Sequence, residues 1–154
     1  MLYVANNFKH YTHINITLKL HLDSTSGMNT VTGYGDNYVD VNRQRYDHSI
    51  FIFPQKPVMP WPVSSFDMLT PENFDMLVTF SGECRIEVVI FGTSARPRFV
   101  HPRMTGTLAF HHIGIESMSF HAACRTYNIL VIEERKVALA LLIEKPLVGH
   151  STTP

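Results

Sequence analysis

GIESMSFHAACRTYNILVIEERKVALALLIE, residues 114–144, is the stretch that decides the fold class. Ile113 to Met118 (IGIESM) read as a short strand, and the following residues 120–134 make the strongest helix in the chain. In that helix Ala123, Tyr127, Leu130 and Val131 share one face at helical spacing. RKVALALLIE, 135–144, then reads as a buried strand. Two strands joined by such a helix need a parallel crossover, which is right-handed almost without exception. Upstream the pattern repeats. RIEVVIF (85–91) is a buried strand, GTSARPRF (92–99) the loop leaving it, and HPRMTGTLAFHH (101–112) a helix with Pro102 near its start. The second half is therefore βαβαβ.

The first third is β-rich. TLKLHL (17–22) alternates apolar and polar residues as a half-buried strand does, and TVTGYG (30–35) and YVDV (38–41) follow. Gly33 and Gly35 flank Tyr34 and suit a bulge or bend. Asn42, Arg43, Gln44 and Arg45 make a tight turn, with SIFIF (49–53) expected as the returning arm of a hairpin. FPQKPVMPWP (53–62) carries four prolines, so it is expected to be an extended surface crossing between the halves. Thr70 can N-cap a helix with Pro71 at its first position and Glu72 in its first turn. Phe74 and Leu77 lie on one face of it. No internal repeat is visible.

Several of these segments, in this order, resemble one family. Gly114, Glu116, Met118, Ala122, Ala123, Arg125, Thr126, Tyr127 and Asn128 match its strand–helix signature. VTGYG (31–35), Pro60 with Trp61, and GTSARPRF support the match. The family is the conserved domain of unknown function found in mitochondrial NADH dehydrogenase assembly factor three, a human adipogenesis-associated protein and many bacterial and archaeal proteins. The resemblance covers roughly residues 19–143. It implies an α/β fold: a three-layer single domain, with a central mixed sheet and an extra β layer from the N-terminal half. It also implies an assembly or interaction role and lends no reaction. Three departures stand out. Ser94 replaces the last glycine of the family's Gly-Thr-Gly, Glu134 replaces a glycine before Arg135, and Met118-Ser119-Phe120 replaces Met-Asp-Thr. Residues 1–18 fall outside the resemblance as an extension, 19–145 form the domain, and 146–154 are a tail.

Composition bounds the partners. With 45% hydrophobic residues the chain can fill one core, and 13 basic residues balance 13 acidic ones. Without a basic excess or stripe, nucleic acid is not an expected partner. No apolar run approaches the ~20 residues of a membrane span, so no membrane insertion is expected. The start lacks the pattern of a signal peptide, and as a transit peptide it lacks arginine. Cys84 and Cys124 are too few for a disulfide scaffold and suit a reducing compartment. The expected location is cytoplasmic, with mitochondrial as the alternative if the source is eukaryotic.

GTSARPRF is the most suggestive loop, because it leaves the C-terminal end of a parallel strand, where open α/β sheets keep ligand crevices. Gly92 would permit a tight turn, Thr93 and Ser94 offer hydroxyls, and Arg96 and Arg98 add charge for a small anion. In the plainer reading Gly92 only turns the chain and the arginines are solvated. Glu116 and Arg125 could converge beside that loop on a polar ligand, with Glu116 as a general base. The plainer reading makes them a buried ion pair. Met59 and Trp61, on a proline-stiffened segment, could anchor a protein partner, or Trp61 could cap its own core. The nine histidines show no metal-ligand spacing, neither cysteine has a telling neighbour, and no nucleotide fingerprint occurs. No cofactor, metal or catalytic residue is therefore expected. The leading expectation is a non-catalytic interaction or assembly factor that holds another protein. The alternative is a small-molecule or anion-binding protein, with enzyme activity left open, whose cleft lies between Gly92–Phe99 and Glu116/Arg125.

Overall fold

The computed structural model describes residues 26–145. The strand expected at 17–22, the extension 1–18 and the tail 146–154 lie outside the described residues.

β1 (Val31–Tyr34), β2 (Val39–Val41) and β3 (Gln44–Tyr46) form an antiparallel meander. The turn between β2 and β3 holds Asn42 at φ 51 and Arg43 at φ 68, the left-handed pair that a two-residue hairpin requires. The arm returning from YVDV is thus Gln44–Tyr46. SIFIF was the expected arm, but its core, β4 (Ile50–Ile52), joins the other sheet. Ile50, Phe51 and Ile52 are all buried, and a strand apolar on both faces belongs inside a sheet covered on both sides. The proline segment also departs from expectation, since Met59–Pro60 pair with β4 as edge strand β5. An edge tolerates proline because the missing N–H faces away from the ladder.

α1 (Pro71–Ser81) starts as the sequence predicts. The Thr70 N–H donates to Asn73 Oδ1 at 2.8 Å, satisfying a donor at the helix start. Lys56 Nζ donates to the Phe80 and Ser81 carbonyls at 2.6 and 2.9 Å, closing the other end. β6 (Val88–Thr93) leads into a 3₁₀ turn, Pro102–Thr105, and only then α2 (Gly106–Phe110). The single helix expected over 101–112 is thus broken. His101 Nδ1 accepts from the Arg103 N–H at 3.1 Å, and Gly106, the weakest helix former after proline, stands at the junction. β7 (Gly114–Ser119), α3 (Phe120–Ile132) and β8 (Val137–Leu141) complete the chain. α3 closes through a Schellman pair: the Arg135 N–H reaches the Leu130 carbonyl and the Glu134 N–H the Val131 carbonyl. This geometry puts Glu134 at φ 57, in the position where the family resemblance expects glycine.

The central sheet runs β5-β4-β8-β6-β7. β8, β6 and β7 are parallel, and β4 is antiparallel to β8. Side-chain size along β8 explains the layering. Val137, Leu139, Leu141 and Ile143 pack with Ile90 against α3 and the meander, through Tyr127, Val131, Val39 and Val41. The alternate residues Ala138 and Ala140 leave room for Phe51, Phe53, Trp61, Phe74 and Phe91 under α1 and α2. Alternation of faces along a strand thus sorts the core into an aliphatic half and an aromatic half. The result is the expected three-layer α/β domain with a mixed central sheet.

Candidate functional site

β6 hands the chain to α2 on the aromatic face, whereas the neighbouring β7 hands it to α3 on the aliphatic face. Adjacent parallel strands whose connections leave to opposite faces open a crevice at their C-terminal ends. A cleft of about 360 Å³ lies there. Thr93, Ser94 and Ala95 line it from the end of β6, Ser119, Phe120 and His121 from the start of α3, and Leu142 and Glu144 from beyond β8. Asp36 and Asn37 of the β1–β2 turn complete the wall.

The walls are tied together. The Phe120 N–H donates to the Ser94 carbonyl at 3.1 Å, and the buried Thr93 Oγ1 donates to the Arg96 carbonyl at 3.2 Å. Glu144 Oε1 accepts from the Phe66 N–H at 2.7 Å and faces Arg98 at 3.5 Å. His121 Nε2 stands 3.9 Å from Asp36 Oδ1, its ring against Tyr34. Among the described residues, two carboxylates and one imidazole line the cleft, and no lysine or arginine does. That charge pattern disfavours an anion.

The residues singled out from the sequence are not brought together. Thr93 and Ser94 line the cleft; Gly92, Arg96, Arg98, Glu116 and Arg125 do not. Gly92 lies within β6 rather than at a turn. A Cβ there would stand 2.7 Å from both Ala123 Cβ and Leu141 Cδ2, so the glycine provides clearance for α3. The exposed Arg96 supplies only its carbonyl. Arg98 lies over the Phe66 ring at 3.9 Å and meets Asp67 at 3.3 Å as well as Glu144, so two carboxylates already occupy it.

Glu116 and Arg125 are both exposed and make no ion pair with each other. The parallel register sets Glu116 beside Ile90, well short of the strand end at Thr93↔Ser119. Arg125 projects from the outer side of α3, where Nη1 donates to Tyr34 Oη at 3.4 Å. The cleft drawn between the Gly92–Phe99 loop and these two residues is therefore corrected, and so is their buried pairing.

The partner surface at Met59 and Trp61 needs correcting too. Trp61 is 2% exposed, lies among Phe51, Phe74 and Phe91, and donates through Nε1 to the Asn73 carbonyl at 3.2 Å. Met59 is half-buried against the same cluster. The large apolar side chains that reach solvent are instead Phe99 at 79% and Phe110 at 81% exposure, with Met68, Ile129 and Ile132.

The sequence reading missed His121, Asp36 and Glu144. A signal existed for Glu144: it follows a strand parallel to β6, so it must emerge at the same sheet edge as Thr93. Burial pushes the Cys124 thiol up to about 12, which leaves it inert, while Cys84 is half-buried. Burial also raises Tyr127, whose hydroxyl donates to the Asn29 carbonyl at 3.1 Å. Among the described residues no His, Cys, Asp and Glu side chains gather in a group able to hold a metal, and no helix is long and apolar enough to cross a membrane.

A family model described as a protein of unknown function (DUF498/DUF598) matches residues 31–142. A Drosophila melanogaster protein named NADH dehydrogenase [ubiquinone] 1 alpha subcomplex assembly factor 3 is 26% identical over 140 residues, 90% of this chain and 71% of that protein. The Bos taurus protein of the same name is 30% identical over 73% of this chain. The chain spans 59% of that bovine relative. A crystal structure of a Bordetella parapertussis protein superposes with a TM-score of 0.70 and 38% identity, covering 77% of this chain and 98% of that one.

Proposed function

This chain belongs to the DUF498/DUF598 family of proteins of unknown function, and from that premise we propose that it is a non-catalytic assembly factor for NADH dehydrogenase subunits. The observation that carries the reading is the match to an insect protein of that assembly-factor name across 90% of this chain. The family match, residues 31–142, spans every element from β1 to β8, so the domain itself is the candidate for holding a subunit. Assembly needs a surface rather than a reaction. Phe99 and Phe110 are aromatic side chains of the kind that anchor protein interfaces. They take the place of Trp61 as the candidate contact residues. The mitochondrial alternative, rather than the cytoplasmic location, goes with this reading in a eukaryotic source, because a factor must meet its subunits where they are built. The test is capture of the tagged protein from its own cells, together with measurement of assembled NADH dehydrogenase in cells lacking it. Co-purifying subunits and a reduced level of complex are expected. An unchanged level of complex overturns the proposal.

The position of the cleft at the strand-connection reversal favours a second reading, a small-molecule site. With Asp36 and Glu144 on its walls, this cleft suits a cationic or hydrogen-bonding ligand better than a phosphate. Thermal melting against amines and phosphates tests it. A ligand at ~100 times its Kd adds about 2.7 kcal/mol of stability. No shift with any amine, or a shift with phosphate alone, counts against this reading.

A further inference from the structure

We propose that Arg98 and Val100 hold Phe99 outward as a preset anchor, which enters an apolar pocket bordered by carboxylates on the subunit that this chain holds. The inference rests on the assembly-factor reading above. The loop leaving β6 shows how the ring is held. Burial alternates along it: Arg98 and Val100 are half-buried, and Phe99 between them is 79% exposed. Val100 packs against the aromatic core under α1 and α2. The Arg98 guanidinium lies 3.9 Å from the centre of the Phe66 ring and meets Asp67 at 3.3 Å and Glu144 at 3.5 Å. Phe66 in turn stacks on Phe91, which joins this clasp to the core. Pro97 and Pro102 fix φ at both ends, and His101 before the second proline is extended at φ −63 and ψ 137. A side chain between two inward anchors on an extended segment points out. The ring is thus ordered before it meets a partner, which lowers the entropy cost of binding.

Charge selects the border of the pocket. Between Glu87 and Glu116 the chain carries no acidic residue, the longest such run in the sequence, and this run holds Arg96, Arg98 and Arg103. Arg98 is occupied by Asp67 and Glu144. Arg96 and Arg103 are exposed and, among the described residues, meet no carboxylate. The chain as a whole is neutral, so the positive excess is local to this loop and its continuation. A rigid aromatic ring flanked by two guanidinium groups complements an apolar pocket with an acidic border. An anionic lipid surface shares part of that chemistry, but it is held by a broad apolar face and a cluster of cations rather than by one ring and two arginines.

The experiment expresses the tagged full chain and its variants in cells lacking the natural copy and measures NADH dehydrogenase subunits captured per molecule of bait. Phe99→Ala is expected to melt with the wild type, because the ring already lies in water, and to capture about tenfold less. Arg98→Ala is expected to lower capture as well, yet Phe99→Ala/Arg98→Ala captures no less than Phe99→Ala alone, since a positioning residue has nothing left to position. Arg96→Glu/Arg103→Glu is expected to weaken capture through its border. Equal capture by Phe99→Ala and wild type overturns the anchor while the assembly reading stands. Losses that multiply in the double variant overturn the role of Arg98, and unchanged capture by Arg96→Glu/Arg103→Glu overturns the acidic border. If the wild type captures no subunit, the assembly reading falls and the anchor with it. Binding to phosphatidylglycerol vesicles that Phe99→Ala abolishes, with subunit capture unchanged, assigns the ring to a lipid surface and also overturns the proposal.

Discussion

Gly92→Ala separates two readings of one residue by the sign of its effect. The added methyl would stand 2.7 Å from Ala123 Cβ and 2.7 Å from Leu141 Cδ2, against the ~3.5–4.0 Å at which carbons rest. Leu141 is fully buried, so its side chain has nowhere to swing. Ala123 is fixed to α3, which Asn128 holds against β1 through Val31. Overpacking of this kind costs roughly 1–3 kcal/mol. In a domain of this size that lowers the melting temperature by roughly 2–12 °C. A glycine serving only as a turn at negative φ would do the opposite, because alanine there stabilises by about 0.4–1 kcal/mol through the unfolded chain. Urea unfolding of the wild type, Gly92→Ala, Ala123→Gly and the double variant completes a cycle. Ala123→Gly alone costs about 1 kcal/mol as a helix-interior glycine. Together the two changes are expected to cost at least ~0.5 kcal/mol less than their sum, because the second removes one of the clashes created by the first. A Gly92→Ala variant as stable as the wild type, or strict additivity in the cycle, refutes the clearance argument.

Glu134→Gly is expected to raise stability by about 1 kcal/mol, since it relieves a left-handed residue at the end of α3; a lower urea midpoint contradicts this. Arg125→Ala should stay within ~0.5 kcal/mol of the wild type in thermal melting, because an exposed arginine bonded, among the described residues, only to Tyr34 Oη leaves no buried charge behind. Asn128→Ala should cost about 1–3 kcal/mol by orphaning the Val31 N–H and carbonyl, with faster amide exchange at Val31 as the local readout. The hydrogen bonds from Arg45 hold the Asp40 carboxyl below its ordinary range. A depressed folded-state value gives stability that is present above the unfolded value of ~3.9 and lost as pH falls below it. The wild type should therefore melt above Asp40→Asn at pH 7 and lose that lead by pH 2; a lead that persists in acid counts against the pair.

One part of the fold is written in local periodicity. A continuous apolar run marks β8, helical spacing marks α3, and Thr70-Pro71 marks the start of α1. These signals survive folding because each element buries its own patterned face. The parallel orientation of β6, β7 and β8 followed from the helical crossovers between them, but their order in the sheet, with β6 between β8 and β7, did not. The failures have one cause, which is that partners distant in the chain decide them. SIFIF had a local hairpin partner available, yet a strand apolar on both faces is more stable between β5 and β8. Trp61 lies in a proline-rich stretch that reads as surface, but Ala138 and Ala140, far along the chain, leave the space that receives its ring. Gly92 and Arg98 carry residue types that suit an anion loop. Only the tertiary structure puts Ala123 against the one and Asp67 and Glu144 against the other. The cleft itself was legible as a place, the C-terminal ends of parallel strands, but not as a set of residues. Its walls come from four separate stretches of chain, and the register and crossover directions that bring Asp36, Thr93, His121 and Glu144 to one edge are fixed by packing in three dimensions.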